Sequence, residues 1–113
     1  MKNPISVITK LFTPEPPRSD KWPTVRKHWL EQHPTCAACG GTLNLEVHHK
    51  LPFHIDPSKE LDPTNFITLC ERMGSECHLK FGHTVNGKSS WQIFNPNVVL
   101  DASIKLESVQ HPK

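Results

Sequence analysis

At 113 residues the chain has the length of one domain. Only 35% of its residues are hydrophobic, and it holds eleven prolines, eight histidines, four cysteines and no tyrosine. With 21% charged residues and a net charge of +2, and with no run near the ~20 apolar residues of a membrane span, it is neither a highly charged disordered tail nor a membrane-spanning chain.

Residues 1–18 contain Pro4, Pro14, Pro16 and Pro17 and little periodicity, and read as an extended or disordered arm. Ser6, Thr9 and Lys10 interrupt the apolar residues there, so no secretory core forms and a reducing, cytoplasmic setting is expected. A folded domain over 19–110 and a short tail, 111–113, complete the division. The segment SDKWPTVRKHWLEQHP reads as a helix with Pro23 in its first turn, Trp22, Val25 and Trp29 on one face, and Pro34 ending it. LEVHH alternates like a strand, KLPFHIDPSKELDPT is a proline-rich loop, and NFITLC is a second strand. ECHLKFGH reads as a short helix ended by Gly82, and TVNGKSS as a loop with a turn at Asn86-Gly87. Asn95-Pro96 suggests a cap for a last helix whose inner face carries Val99, Ala102, Leu106 and Val109.

The cysteines come in two pairs. Cys36 and Cys39 form a C-x2-C knuckle followed by Gly40-Gly41, and Cys70 and Cys77 follow after a gap, separated by six residues. In a reducing compartment such pairs read as a closed tetrahedral zinc site rather than as disulfides or inert core thiols. A structural Zn2+ would offset the lean core. Among the histidines, His48 and His49 are adjacent on the first strand and therefore point to opposite faces. One can hold a metal while the other, with an imidazole pKa near 6.5, accepts a proton from water. His78 directly follows Cys77, so a zinc site would anchor it.

The stretch C-A-A-C-G … L-E-V-H-H-K-L-P-F-H … E-L-D-P-T-N-F-I-T-L-C-E … E-C-H-L-K-F-G-H resembles the HNH endonucleases, and more narrowly the small zinc-containing type of bacteriophages and prophages. The likeness runs from about Arg18 to Pro96, and the three name letters fall on His49, Asn65 and either His78 or His83. It implies an α+β fold: a zinc-stapled ββα-metal domain with flanking N- and C-terminal helices. It implies a metal-dependent DNA endonuclease that hydrolyses phosphodiester bonds and leaves 5′-phosphate and 3′-hydroxyl ends. In that scheme His48 and His78 ligate one catalytic divalent ion (Mg2+, Mn2+, Ni2+ or Zn2+). His49 is the general base, Asn65 braces the loop that orients it, and Cys36, Cys39, Cys70 and Cys77 hold structural zinc. Some members carry a third metal histidine four residues after the first helical one. Here His83 comes five after His78, about 140° away on an ideal α-helix, and reaches the ion only if the chain turns back at Gly82. Likeness to the phage type also implies a bacterial or phage-infected cytoplasm, with DNA and phage packaging proteins (terminase or portal) as partners and no membrane.

The remaining candidates are ordinary residues with one sharper use each. Arg18, Lys21, Arg26, Lys27, Lys50, His54 and Lys80 are candidate DNA contacts. Trp22, Trp29 and Trp91 read as caps on a small core, and Glu46, Glu71 and Glu76 as surface charges. His28, His33 and His111 read as solvated. Residues 36–83 carry four Lys/Arg against six Asp/Glu, while residues 1–35 carry six against three. Phosphate binding therefore leans on the ion and the basic N-terminal segment, and its affinity should be modest and salt-sensitive. The alternative is a non-catalytic zinc module that binds nucleic acid or protein; it needs the cysteines but not His48, His49 and Asn65 together. A restriction or homing nuclease would need a recognition domain for which this length leaves no room.

Overall fold

The computed structural model describes residues 18–111; the expected arm over 1–18 therefore lies almost wholly outside the described residues, as does most of the tail. Helix α1 (Trp22–Gln32) opens with proline in its first turn, as the sequence requires. Strand β1 (Leu45–His49) pairs antiparallel with β2 (Phe66–Cys70), in the register Val47↔Thr68, His48↔Ile67 and His49↔Phe66. The proline-rich connection between them contains two 3₁₀ turns, Pro57–Lys59 and Pro63–Asn65, each begun by an aspartate that accepts from a backbone N–H two residues on.

β2 is buried along its whole length because it is covered on both faces. On one side Trp22 and Trp29 of α1 meet Phe66 edge-on, with ring centroids 5.5 and 5.4 Å apart. The buried Thr68 hydroxyl accepts from the Trp29 indole N–H at 2.9 Å and donates to the His33 carbonyl at 3.0 Å, which closes the helix end onto the sheet. On the other side Ile67 and Leu69 join Cys36, Ala38, Cys70, Cys77, Val98 and Ala102 in the core. Much of that core is thiol and methyl rather than large aliphatic side chain.

Three expectations shift. The loop at 84–90 contains a hairpin: β3 (Thr84–Val85) pairs with β4 (Lys88–Ser89). Asn86 and Gly87 have φ of 54° and 76°, the two positive values that a tight type I′ turn requires. The final helix, α2 (Val98–Gln110), buries Ala102 and half-buries Leu106 as expected, but Val98 takes the inner place expected of Val99, and Val109 is exposed. The cause is Asn95. It does not cap α2 directly but accepts from Asn97 N–H and donates to the Phe81 carbonyl and Asp101 carboxylate, and α2 begins two residues later than that cap would place it. Third, the short helix after Cys77 is a π-helical turn, His78–Gly82. Two short antiparallel sheets, helices and a cysteine cluster thus make a small α+β fold. Among the described residues no helix is long and apolar enough to cross a membrane.

Candidate metal centres

The knuckle, the end of β2 and the start of the π-turn bring four thiols together. One ligand atom from each of Cys36, Cys39, Cys70 and Cys77 lies within 4.8 Å of all the others. Cys39 Sγ and Cys70 Sγ are 3.8 Å apart. That is far too long for a disulfide, and it matches the edge of a tetrahedron with Zn–S bonds of about 2.3 Å, which is about 3.8 Å. Backbone N–H groups point at the sulfurs: Ala38 and Cys39 at Cys36 Sγ, and Gly41 at Cys39 Sγ. Burial raises the Cys70 thiol, but N–H groups of Cys77 and Arg72 outweigh it and bring it down to about 7. Burial and the nearby Cys36 push Cys77 up. Four such thiols become thiolates together only around a cation, and a soft-ligand, four-sulfur set suits zinc.

A second cluster joins His48 of β1 with His78 and His83 at the two ends of the π-turn, again with one ligand atom from each within 4.8 Å of the others. The π-turn answers the five-residue spacing. Hydrogen bonding from i to i+5 closes the turn over one more residue than an α-helix does, so His78 and His83 face each other although five apart. His78 Nε2 lies 3.1 Å from His48 Nδ1 and 3.3 Å from His83 Nε2. The outer nitrogens fix the tautomers. His78 Nδ1–H donates to the Glu71 carboxylate at 2.8 Å, and His83 Nδ1–H to the Ile93 carbonyl at 2.6 Å. Both Nε2 atoms then turn bare lone pairs towards each other, which a neutral pair tolerates poorly and a shared cation relieves. Burial, reinforced by the neighbouring histidines, brings His48 down to about 3, and burial lowers His83, so both favour the neutral form that a metal needs.

His48 is 2% exposed, and its Nε2 is buried without a hydrogen-bond partner among the described residues. Its ring lies against Gly82, where a Cβ would come within 2.8 Å of Cε1, so the close approach depends on glycine. The donor chemistry of the three imidazoles fits a divalent ion such as Mn2+, Ni2+ or Zn2+.

His49 points to the opposite face of β1, onto Trp22 and Phe66. Its Nε2–H donates to the Glu60 carbonyl at 2.8 Å, leaving Nδ1 as the basic nitrogen. Burial lowers its pKa, with Arg18 adding to the effect, which keeps the ring neutral and able to accept a proton. The buried Asn65 fastens the connecting loop. Its carbonyl accepts from Lys50 N–H, its Oδ1 from Leu51 N–H, and its Nδ2 donates to the carbonyls of Leu51 and Lys59. The last of these bonds lies beside the Glu60 carbonyl that holds His49.

His48, His49, His78 and His83 line one cleft of about 300 Å³. Of the candidate DNA contacts, Arg18, Arg26 and His54 also line it; Lys21, Lys27, Lys50 and Lys80 do not. Arg26 is paired with Glu46 at 2.9 Å, and the Arg18 guanidinium sits 4.2 Å above the Phe53 ring. Three contributors were not read from sequence: the Glu60 carbonyl, Glu71, and Trp91, which is 53% exposed at the cleft instead of capping the core. For Glu71 a signal existed, because it follows Cys70 as His78 follows Cys77. Comparison with known protein families, curated proteins and solved structures finds no match to this chain.

Proposed function

We propose that the protein is a metal-dependent nuclease of the HNH type, hydrolysing phosphodiester bonds of DNA. The observation that carries this reading is the paired arrangement at the end of β1: His48 belongs to a three-imidazole cluster, while its neighbour His49, tethered through Nε2 and with no partner at Nδ1 among the described residues, lines the same cleft. A zinc module without chemistry needs the cysteines but has no use for a second, histidine-based centre beside a tethered base. In this reading His48, His78 and His83 hold one divalent ion, and Cys36, Cys39, Cys70 and Cys77 hold zinc. When bound, the catalytic ion supplies Lewis-acid stabilisation of the charge that develops on the phosphate and on the leaving 3′ oxygen. His49 Nδ1 takes a proton from the attacking water. Asn65 keeps the loop, and with it the Glu60 carbonyl, in place so that His49 keeps its tautomer. A phage role beside DNA-packaging proteins in a bacterial cytoplasm belongs to the same proposal and rests on the family resemblance.

The test is nicking of supercoiled plasmid with Mg2+, Mn2+ or Ni2+ and with chelator. Wild type should nick only with added ion, and His49→Ala should lose roughly 100-fold or more of the rate. A wild type inert with every ion, or a His49→Ala variant that cuts equally well, would overturn the assignment.

A further inference from the structure

Trp91 is unexplained by the histidine cluster it touches. Its ring lies 5.1 Å from that of His78 and 4.9 Å from that of His83, yet 53% of the residue is exposed to solvent. Glu71 and the Ile93 carbonyl already orient the two imidazoles, so the indole is not needed to hold them. It presents an open aromatic surface at the cleft where the phosphate would react.

The charges of the cleft say what that surface is for. Arg26 is spent on Glu46, which leaves Arg18, stacked on Phe53, as the arginine of the cleft without a carboxylate partner among the described residues. The segment carrying both metal centres has four Lys/Arg against six Asp/Glu. A duplex held through its backbone needs many phosphate contacts, and this cleft does not supply them. Where phosphate contacts are few, stacking must contribute, and it does so through the face of a base. In a duplex both faces of each base are covered by its neighbours; an unpaired base offers one. The cleft, at about 300 Å³, is also at the small end of the range for sites that take single small molecules.

We propose that Trp91 stacks an unpaired base beside the reacting phosphate, which makes single-stranded or locally unpaired nucleic acid the preferred substrate. The inference rests on the nuclease reading for the position of that phosphate.

Fluorescence anisotropy with short labelled oligonucleotides tests it, using a single strand, a blunt duplex and a duplex with a central mismatched bubble. The oligonucleotides are titrated with wild type, Trp91→Phe and Trp91→Ala without added divalent ion, so that the strands survive. The expected result is tighter binding of single strand and bubble than of duplex. Trp91→Ala should weaken single-strand binding at least about fivefold, while Trp91→Phe keeps most of it. Calorimetric Ni2+ titration of Trp91→Ala should match wild type, which separates a stacking role from a wall of the metal site. Equal binding of duplex and single strand by wild type, unchanged binding by Trp91→Ala, or loss of the ion in that variant would each overturn the inference. Trp91-dependent binding in a protein that cuts nothing with any ion would sink the nuclease reading and leave the stacking site standing. Equal cutting of duplex and single strand by wild type and Trp91→Ala would do the reverse.

Discussion

His78 has three neighbours that define its job: Glu71 at Nδ1, and His48 and His83 on the side of Nε2. A carboxylate behind a ligating histidine fixes the ring, selects the tautomer and raises the basicity of the other nitrogen. Glu71→Ala removes all three effects without touching the proposed ligands, so affinity for Ni2+ or Mn2+ should fall roughly 10- to 100-fold. Glu71→Gln, which keeps an acceptor oxygen but no charge, should retain much of it. Calorimetric titration of the zinc-loaded protein reads both. Equal affinity in Glu71→Ala and wild type would show that the contact is incidental. Because Glu71 is largely exposed, its contribution to folding is expected to be small.

At the scale of elements, the connection between β1 and β2 contains two short 3₁₀ turns, and Asn65 is the side chain that ties its two halves together. Asn65 satisfies partly buried backbone groups of Leu51 and Lys59. Asn65→Ala leaves those groups without their side-chain partner, at about 1 kcal/mol because they are only partly buried. The urea midpoint should drop accordingly, and nicking should fall further than stability alone explains, because the Glu60 carbonyl loses its place under His49. A variant as stable and active as wild type would remove Asn65 from the scheme. The strands, the first helix and the placement of His48 and His49 on opposite faces of β1 were legible, because alternation and proline placement are local signals. The π-turn was not. Whether a histidine five residues on can reach its partner depends on how the backbone closes, and an α-helical expectation sets the two about 140° apart. The start of α2 was missed for a similar reason: Asn95 is tied to Phe81 and Asp101, contacts that no local pattern announces.

For the whole molecule, the two clusters are joined in a way that makes their dependence one-sided. Cys70 precedes Glu71 and Cys77 precedes His78, so the thiol centre grips both members of the carboxylate–histidine pair from behind. His48 reaches the same place on β1, whose partner β2 ends at Cys70. The core around the thiols contains Ala38, Ile67, Leu69, Val98 and Ala102, a small aliphatic surface that a metal at the four cysteines would reinforce. Zinc binding by such a site is itself folding free energy, about 10–16 kcal/mol in small zinc domains. Stripping zinc, or replacing Cys36 with Ser, should therefore abolish the thermal unfolding transition seen by circular dichroism, and Ni2+ binding at the histidines with it. His48→Ala should abolish Ni2+ binding while zinc stays stoichiometric through dialysis and the fold persists, since it removes a proposed ligand of the histidine cluster and none of the four cysteines. A folded, zinc-free protein that still binds Ni2+ would break this hierarchy; loss of zinc from His48→Ala would show the dependence to run both ways.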